Sequence, residues 1–339
     1  MLKLLSKIYG FFVHRRNKRY DEHSVPIVQV NVPVISVGNL TTGGTGKTPL
    51  VQWIVRHLQE NGRKPAVILR GYKRASRGLL VVHDGEVVRD GELARDGESA
   101  RDGEKLIPTV REAGDEAYFH AKALNVPVVV CSYKVDAAVH AAGFLPCDVI
   151  VVDDGFQHRS LHRDIDVVIV DETPAAKLQL LPLGVLREPV ENLARADVVV
   201  RLAMHPAGTY GLDGSAVSPL GRDVLPVTAI ANPKRFVDVL PTLTSGLVLE
   251  PMLFQDHHWF TQKDITSIVA RARAGNAIVM TTEKDAVKLE QYALQFRSAD
   301  VDVCVLKVRI EILEGEEQLR SLILERVINE DSSVEGIGE

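Results

Sequence analysis

Three cysteines, Cys131, Cys147 and Cys304, are all that 339 residues provide, and no two form a C-x-x-C pair. An odd, widely spaced set excludes a disulfide framework and a thiolate zinc site. Each lies in or beside an apolar run, as buried thiols of a reducing compartment do. A basic excess is also missing. The net charge of -5 and pI near 6.1 argue against a nucleic-acid partner, which selects a broad basic face. Long apolar runs are absent too. The unbroken stretch Ile8 to Val13 falls far short of the ~20 residues of a membrane span, and no small-residue cleavage site follows it, as a signal peptide needs. What remains is length enough for a full core and, by size, two domains.

The first residues have a pattern of their own. Lys3, Lys7, Arg15, Arg16, Lys18 and Arg19 precede the first acid, Asp21, and among them Leu4, Leu5, Ile8, Tyr9, Phe11 and Phe12 fall close to helical spacing. A basic amphipathic helix of this kind suits the headgroup region of an anionic membrane. The alternative is that its apolar side packs on the rest of the chain.

The strongest single motif is Thr41-Thr42-Gly43-Gly44-Thr45-Gly46-Lys47-Thr48. It leaves a β-branched run, Val32 to Val37, and opens a helix that carries Leu50, Val51, Ile54, Val55 and Leu58 on one face until Asn61-Gly62 stops it. Glycines let several N–H groups point at one anion, the Lys47 ammonium reaches β- and γ-phosphates, and the Thr48 hydroxyl suits Mg²⁺. Thr41 stands where the general P-loop pattern has glycine. The chain therefore binds a nucleoside triphosphate on this reading.

Beyond the loop, apolar strands alternate with helices: Ala66–Leu69, Val128–Val130, Val149–Val152, Val167–Val170 and Val198–Val200, with a helix over 135–142 closed by Gly143. This rhythm predicts a parallel sheet covered on both faces. Leu79–Val82 reads as the first arm of a hairpin. A six-residue unit ending in Arg-Asp-Gly-Glu then recurs three times between Val87 and Glu104. It lacks the acid spacing of a calcium loop and reads as a solvated, expanded loop. Residues 203–222, rich in Gly, Pro, Ser and Asp, read as a linker. A second αβ unit follows, with strands at Val227–Ala231, Leu247–Leu249, Ile278–Met280 and Val303–Leu306. The polar tail 329–339 is expected to be disordered.

Several clusters could carry chemistry. The strand Val149–Val152 runs into Asp153-Asp154, as a metal-binding strand end beside a P-loop does, although capping gives the same pattern. Gln157 and His158 follow, placed for hydrogen bonds to nucleotide or substrate; His158 and His162 lack the glutamate and third ligand of a zinc site. Asp115 and Glu116 open a helix, either as caps or with Asp115 accepting a proton from a substrate hydroxyl. A histidine of the cluster Phe254–Phe260 could orient such a carboxylate across a cleft. Arg187-Glu188, between Leu186 and Pro189, offers a cation for a transferring phosphoryl group and a carboxylate for a metal shell, or a surface ion pair.

Taken in order, Val37-Gly38-Asn39 through Thr48-Pro49, Arg70-Gly71-Tyr72, Gly114-Asp115-Glu116, Asp153 to His158, Leu186-Arg187-Glu188-Pro189, Ala231-Asn232-Pro233, Asp256-His257 and Thr282-Glu283-Lys284-Asp285 resemble the tetraacyldisaccharide 4'-kinase family, the lipid A 4'-kinases of Gram-negative bacteria. The resemblance covers nearly the whole chain, and Thr41 fits that family's variant of the loop. It implies an α/β fold: a P-loop NTPase-type parallel sheet domain plus a second, smaller α/β domain, joined by a hairpin linker, with the active site between them. The expected layout is an amphipathic helix over 1–25, a P-loop domain over 26–222 with a hairpin and expanded loop at about 79–113, and a C-terminal domain over 223–328.

By the same resemblance, Thr41 to Thr48 hold ATP, and Thr48, Asp153, Asp154 and Glu188 lie at Mg²⁺. Asp115 is the base, His257 its partner and Arg187 a catalytic cation. Arg70, Glu116, Gln157 and His158 meet the substrate. That substrate is a tetraacylated glucosamine disaccharide 1-phosphate, phosphorylated at its 4'-hydroxyl to give lipid IVA. The resemblance further implies an N-terminal helix associated with the cytoplasmic face of the bacterial inner membrane, and a monomer is expected. On the residues alone two other classes stay open: a P-loop ATPase or GTPase whose output is hydrolysis, and a membrane-bound interaction protein with a nucleotide-stabilised fold.

Overall fold

The computed structural model describes residues 1–83, 86–89, 110–174 and 177–329. A long helix α1 (Leu2–Asp21) precedes β1 (Val34–Asn39), α2 (Lys47–Glu60), β2 (Pro65–Leu69) and an edge hairpin, β3 (Leu80–His83) and β4 (Glu86–Arg89). Then come α3 (Val110–Ala113), α4 (Asp115–Leu124), β5 (Val128–Val130), α5 (Lys134–Phe144), β6 (Val149–Asp153), β7 (Ile165–Val170) and β8 (Val198–Gly211). The remainder is β9 (Val224–Thr228), α6 (Pro233–Val239), β10 (Met252–Leu253), α7 (Gln262–Ala274), β11 (Ile278–Thr282), α8 (Glu283–Leu289), α9 (Ala293–Ser298), β12 (Val303–Glu314) and α10 (Glu316–Ile323).

The described strands join one sheet in the order β10-β9-β11-β12-β8-β7-β1-β6-β2-β5-β3-β4. Pairing is parallel except at β3, which is antiparallel to β4 and β5, and between β8 and β12. Because side chains alternate along a strand, each apolar run feeds two cores. Val149 and Val151 face α2 and α4, packing with Leu50, Ile54, Leu58, Ala117 and Ala121. Ile150 and Val152 face α5 and its Ala137, Ala138 and Ala141. Residues 224–306 repeat the scheme, with Leu225, Val227 and Val279 against Ile265 and Ile268 of α7, and Val224, Ile278 and Met280 against Phe236 and Leu240. Helices on both faces of a mostly parallel sheet are what the βα rhythm demanded.

The two halves of the sheet are fastened by β8 and β12, which pair antiparallel from Cys304↔Gly211 to Glu314↔Arg201. The start of β8 pairs with β7, and the start of β12 pairs with β11. Residues 203–211 are thus strand, not a Gly- and Pro-rich linker loop, and β8 and β12 lie far apart in sequence rather than forming a local hairpin. The chain also returns after β12: Leu319, Ile323 and Val327 are buried in the core of the first half, although residues up to 328 were expected in the second unit. Leu247–Leu249 makes only a single bridge, Val224↔Val248, because this run lies at the sheet margin with Leu247 68% exposed. Helix α5 runs through Gly143 and ends where Leu145 turns extended before Pro146. The expanded Arg-Asp-Gly-Glu loop and the expected disordered tail lie outside the described residues, apart from their first few positions.

Close packing next to the P-loop requires one glycine in particular. A Cβ on Gly38 of β1 would stand 2.5 Å from the Cβ of Phe156 and 2.9 Å from its nitrogen. Without that side chain, the turn after β6 sits directly on β1 and carries Asp153 and Asp154 beside the loop.

Candidate active site

The P-loop leaves β1 and enters α2 through Gly46, whose φ of 91° is a left-handed conformation that L side chains rarely adopt. A Cβ there would also stand 3.2 Å from Leu202 Cδ1. Asn39, buried at the end of β1, ties the loop together. Its Nδ2 donates to Thr45 Oγ1 at 3.0 Å and to Thr41 Oγ1 at 3.3 Å, while its Oδ1 accepts from Lys47 Nζ at 3.1 Å. Backbone bonds from Thr42 to Val185 and from Arg187 to Leu40 hold the segment before Pro189 against the loop.

Beside it, Asp153 and Asp154 close β6. Asp153 is buried; its Oδ2 meets His120 Nε2 at 3.2 Å, and its Oδ1 has no hydrogen-bond partner among the described residues. Burial raises the Asp153 pKa, but the His120 hydrogen bond and charge, with Lys47, outweigh that and hold it below the usual range. Asp154 sits at φ 53° and receives Arg187 Nη1 at 2.8 and 2.9 Å, with Lys47 Nζ at 3.4 Å. Burial opposes ionisation there too, yet Lys47, then Arg187 and Lys134, keep the carboxylate far below its ordinary pKa. Lys134 is fully buried and donates to the backbone carbonyls of both aspartates. Burial lowers its pKa to about 8 against the pull of Asp154 and Asp153.

A cleft of about 1160 Å³ separates this floor from the second half of the sheet. Its lining includes Thr42 to Thr48, Arg70, Tyr72, Glu116, Asp153, Asp154, Arg187, Asn232, Arg235, His257 and Lys284. Asp115 lies just beneath, 2% exposed at the start of α4, and His257 reaches it from the other half, 142 residues away, with Nδ1 at 2.9 Å from Oδ2 and 3.0 Å from Oδ1. The Tyr72 ring lies edge-on to His257 at 5.3 Å. Lys288, buried on α8, puts its ammonium 3.6 Å from Asp115 Oδ2 and 2.8 Å from Asp285 Oδ1. Asp285 in turn accepts from Thr228 Oγ1 and the Ala229 amide, and the Ala229 carbonyl accepts from the His257 amide. Lys284 bonds Glu116 across the same seam at 2.7 Å. Burial pushes the Asp115 pKa up, but the His257 hydrogen bond, Lys284, the His257 charge and Lys288 pull it down to about 2. The result is a carboxylate that stays ionised with an imidazole oriented on it.

The structure brings together the P-loop, Asp153, Asp154, Arg187, Arg70, Glu116, Asp115 and His257. Three assignments need revision. Glu188 does not lie with Asp153 and Asp154: it is fully buried, and its oxygens accept from Arg16, Asn17, Asn192 and Arg195 at 2.6–3.0 Å. The chain bends here, so that Arg187 faces the cleft and bonds Asp154 while the Glu188 carboxylate turns away towards Arg16, Asn17, Asn192 and Arg195. Gln157 and His158 are not in the cleft lining. Gln157 Nε2 donates to the Asn39 carbonyl at 2.9 Å, and burial, then Lys134, lower the His158 pKa to about 4, leaving it neutral at pH 7. Thr41 packs beneath the loop rather than lining it. Sequence reasoning passed over His120, Lys134 and Lys288 altogether. Each is a buried polar residue within a helix, and its partner is fixed only by the fold.

The family model described as tetraacyldisaccharide-1-P 4'-kinase matches residues 1–328. The tetraacyldisaccharide 4'-kinase of Chlorobium luteolum is 30% identical, over 95% of this chain and 96% of that protein. Its counterpart in Halothermothrix orenii is 33% identical, over 95% and 91%. Among solved structures, LpxK from Aquifex aeolicus in complex with ATP superposes with a TM-score of 0.71 at 29% identity, covering 94% of this chain and 96% of that one.

The Asp115 pKa carries a stability consequence. A depressed carboxylate stabilises the fold above its unfolded pKa of ~3.9, and that contribution is lost as pH falls towards about 2. Urea unfolding should give wild type a margin over Asp115→Asn on the order of 2 kcal/mol at pH 6, shrinking steadily below pH ~4. A margin independent of pH would contradict the ionic account of this pair.

Proposed function

The chain belongs to the tetraacyldisaccharide-1-P 4'-kinase family, an ATP-dependent kinase of lipid A synthesis that phosphorylates the 4' position of the precursor, and we propose that the cleft performs this transfer with Asp115 as base. The observation that carries the assignment is the Asp115–His257 pair. Two residues 142 positions apart form a buried carboxylate–imidazole hydrogen bond at the edge of the P-loop cleft. The acceptor is an acylated glucosamine disaccharide 1-phosphate, whose 4'-hydroxyl gives its proton to the Asp115 carboxylate while His257 fixes the orientation of that carboxylate. The γ-phosphoryl group then bonds to the hydroxyl oxygen and leaves ADP. P-loop amides and Lys47 hold the β- and γ-phosphates, and Arg187 faces the transferring group. Positioning and charge neutralisation supply most of the rate, because phosphoryl transfer asks little covalent chemistry of the protein. Arg70, exposed in the cleft wall, is available to the substrate's phosphate, and Glu116 to its sugar.

Mg²⁺ suits the floor of the cleft. The Asp153 Oδ1 atom is buried without a hydrogen-bond partner among the described residues, and Thr48 and Asp154 lie in the same lining. Hard oxygen donors, few in number and completed by phosphates and water, are what this ion takes. Thr48, Asp153 and Asp154 are the residues that would hold it. Once bound, the ion would neutralise charge building on the β- and γ-oxygens. His120 fixes the second Asp153 oxygen and thereby the direction in which the first one points.

The N-terminal helix supports attachment to a membrane surface. No described helix is long and apolar enough to cross a bilayer. Helix α1 instead docks a largely polar stripe, Ser6, Tyr9, Val13, Arg16 and Asn17, and leaves Leu4, Phe11 and Phe12 more than half exposed, at 64%, 60% and 63%. Of the apolar residues, Val13 is buried on the chain, while the open face with Leu4, Phe11 and Phe12 supports the membrane reading. With Lys3, Lys7 and Arg15 nearby, the outward apolar face fits the headgroup layer of the cytoplasmic leaflet.

Two measurements check these assignments. Asp115→Ala should lower turnover by about 10²-fold or more with ATP affinity little changed; near-normal turnover would remove Asp115 from the role of base. The double substitution Phe11→Ser with Phe12→Ser should weaken co-sedimentation with phosphatidylglycerol-containing vesicles by roughly tenfold or more. Equal partitioning of wild type and variant would move the membrane contact elsewhere.

A further inference from the structure

The Glu188 carboxylate is fully buried, accepts from four side chains and lies next to Arg187. Oε1 accepts from Arg16 Nη2 at 2.7 Å; Oε2 accepts from Asn17 Nδ2 at 3.0 Å, Asn192 Nδ2 at 2.7 Å and Arg195 Nη2 at 2.6 Å. Two of those donors come from α1. The same helix also reaches the neighbouring backbone: Tyr9 Oη donates to the Arg187 carbonyl at 2.8 Å, and Ser6 Oγ to the Leu180 carbonyl at 2.8 Å. Contact is close, since a Cβ on Gly10 would stand 2.8 Å from Leu180 Cδ1. On the other side, the Arg187 amide donates to the Leu40 carbonyl of the P-loop at 2.7 Å. The peptide that carries Arg187 is therefore clamped between the phosphate-binding loop and α1.

We infer that α1 is part of the catalytic scaffold, with Tyr9 and Glu188 acting as positioning residues that aim Arg187 into the cleft. The inference rests on the reading of Arg187 as the cation facing the transferred phosphoryl group. A burial this complete serves geometry: four donors satisfy the carboxylate, and breaking such a buried ionic cluster releases the backbone that it holds. Arg187 is anchored at Asp154 by one guanidinium nitrogen, so a shift of its backbone changes where the rest of the guanidinium points. Misplacement on the order of 1 Å costs phosphoryl-transfer enzymes far more in rate than in ground-state binding. Because the outer side of α1 carries the exposed Leu4, Phe11 and Phe12, the seating of this helix at a lipid surface and the aim of Arg187 are mechanically linked.

The test is a double-mutant cycle on the full-length protein in detergent micelles, with γ-labelled ATP, Mg²⁺ and the acylated disaccharide 1-phosphate. Tyr9→Phe should lower kcat about fivefold to tenfold and leave the KM for ATP unchanged. In an Arg187→Ala background the same substitution should have no further effect, because the carbonyl that Tyr9 holds no longer carries the guanidinium. Glu188→Gln should likewise lower kcat without raising the Mg²⁺ concentration for half-maximal rate. An unchanged kcat for Tyr9→Phe, an equal loss in both backgrounds, or an increased Mg²⁺ requirement for Glu188→Gln would overturn the inference. A wild-type protein that transfers no label to the lipid would overturn the kinase reading and this inference with it.

Discussion

A carboxylate can be buried and ionised only if hydrogen-bond donors and cations are brought to it, and for Asp115 most of these come from the other half of the sheet. His257, Lys284 and Lys288 all belong to the second block, whereas Asp115 opens a helix of the first. Removing one partner from such a pair leaves an uncompensated charge, at a cost of roughly 3–5 kcal/mol. The pairing of the two halves and the ionisation of Asp115 are thus one constraint. The antiparallel strands β8 and β12 keep the halves in register, and the network through Asp285, Thr228 and Ala229 fixes the backbone from which His257 projects.

The same logic organises the floor of the cleft. The two acids at the end of β6 differ in role because their surroundings differ. Asp153 is held by His120 and, among the described residues, keeps one oxygen free of hydrogen bonds; Asp154 is gripped by Arg187 and Lys47. Lys134 holds both backbone carbonyls from below. Asn39 performs the equivalent task for the P-loop, and the cluster around Glu188 for the segment carrying Arg187. The P-loop, the acids at the end of β6 and the segment carrying Arg187 are each backed by buried polar partners, which is how charged side chains are held in one geometry before any phosphate arrives.

Much of this was legible in the order of residues, for local reasons. The P-loop is a contiguous motif, and its strand and helix show in the apolar periodicity on either side. Asp153 and Asp154 announce themselves as acids at the end of an apolar run. His257 became a partner for Asp115 only through the resemblance to a family, since nothing in the spacing pairs residues 142 apart. His120, Lys134 and Lys288 were illegible because a polar residue inside a helix gives no local sign of burial. Glu188 was read as a carboxylate for the metal shell or a surface ion pair, and nothing local shows that α1 and residues 192 and 195 close over it. Residues 203–211 were taken for a linker on composition, while their partner strand, β12, lies about a hundred residues on. The polar docking stripe of α1 shows only once Glu188 and the Arg187 carbonyl are in place to receive it.

The central claim is that this cleft moves a phosphoryl group from ATP to a lipid-borne hydroxyl. It is tested most directly by incubating the purified protein with γ-labelled ATP, Mg²⁺ and tetraacylated glucosamine disaccharide 1-phosphate in detergent, then separating lipid from free phosphate. The account predicts label in the lipid, at the 4' position, and little release of phosphate when the lipid is left out. Label recovered only as free phosphate, at a rate indifferent to the lipid, would contradict it and make hydrolysis the output of the site.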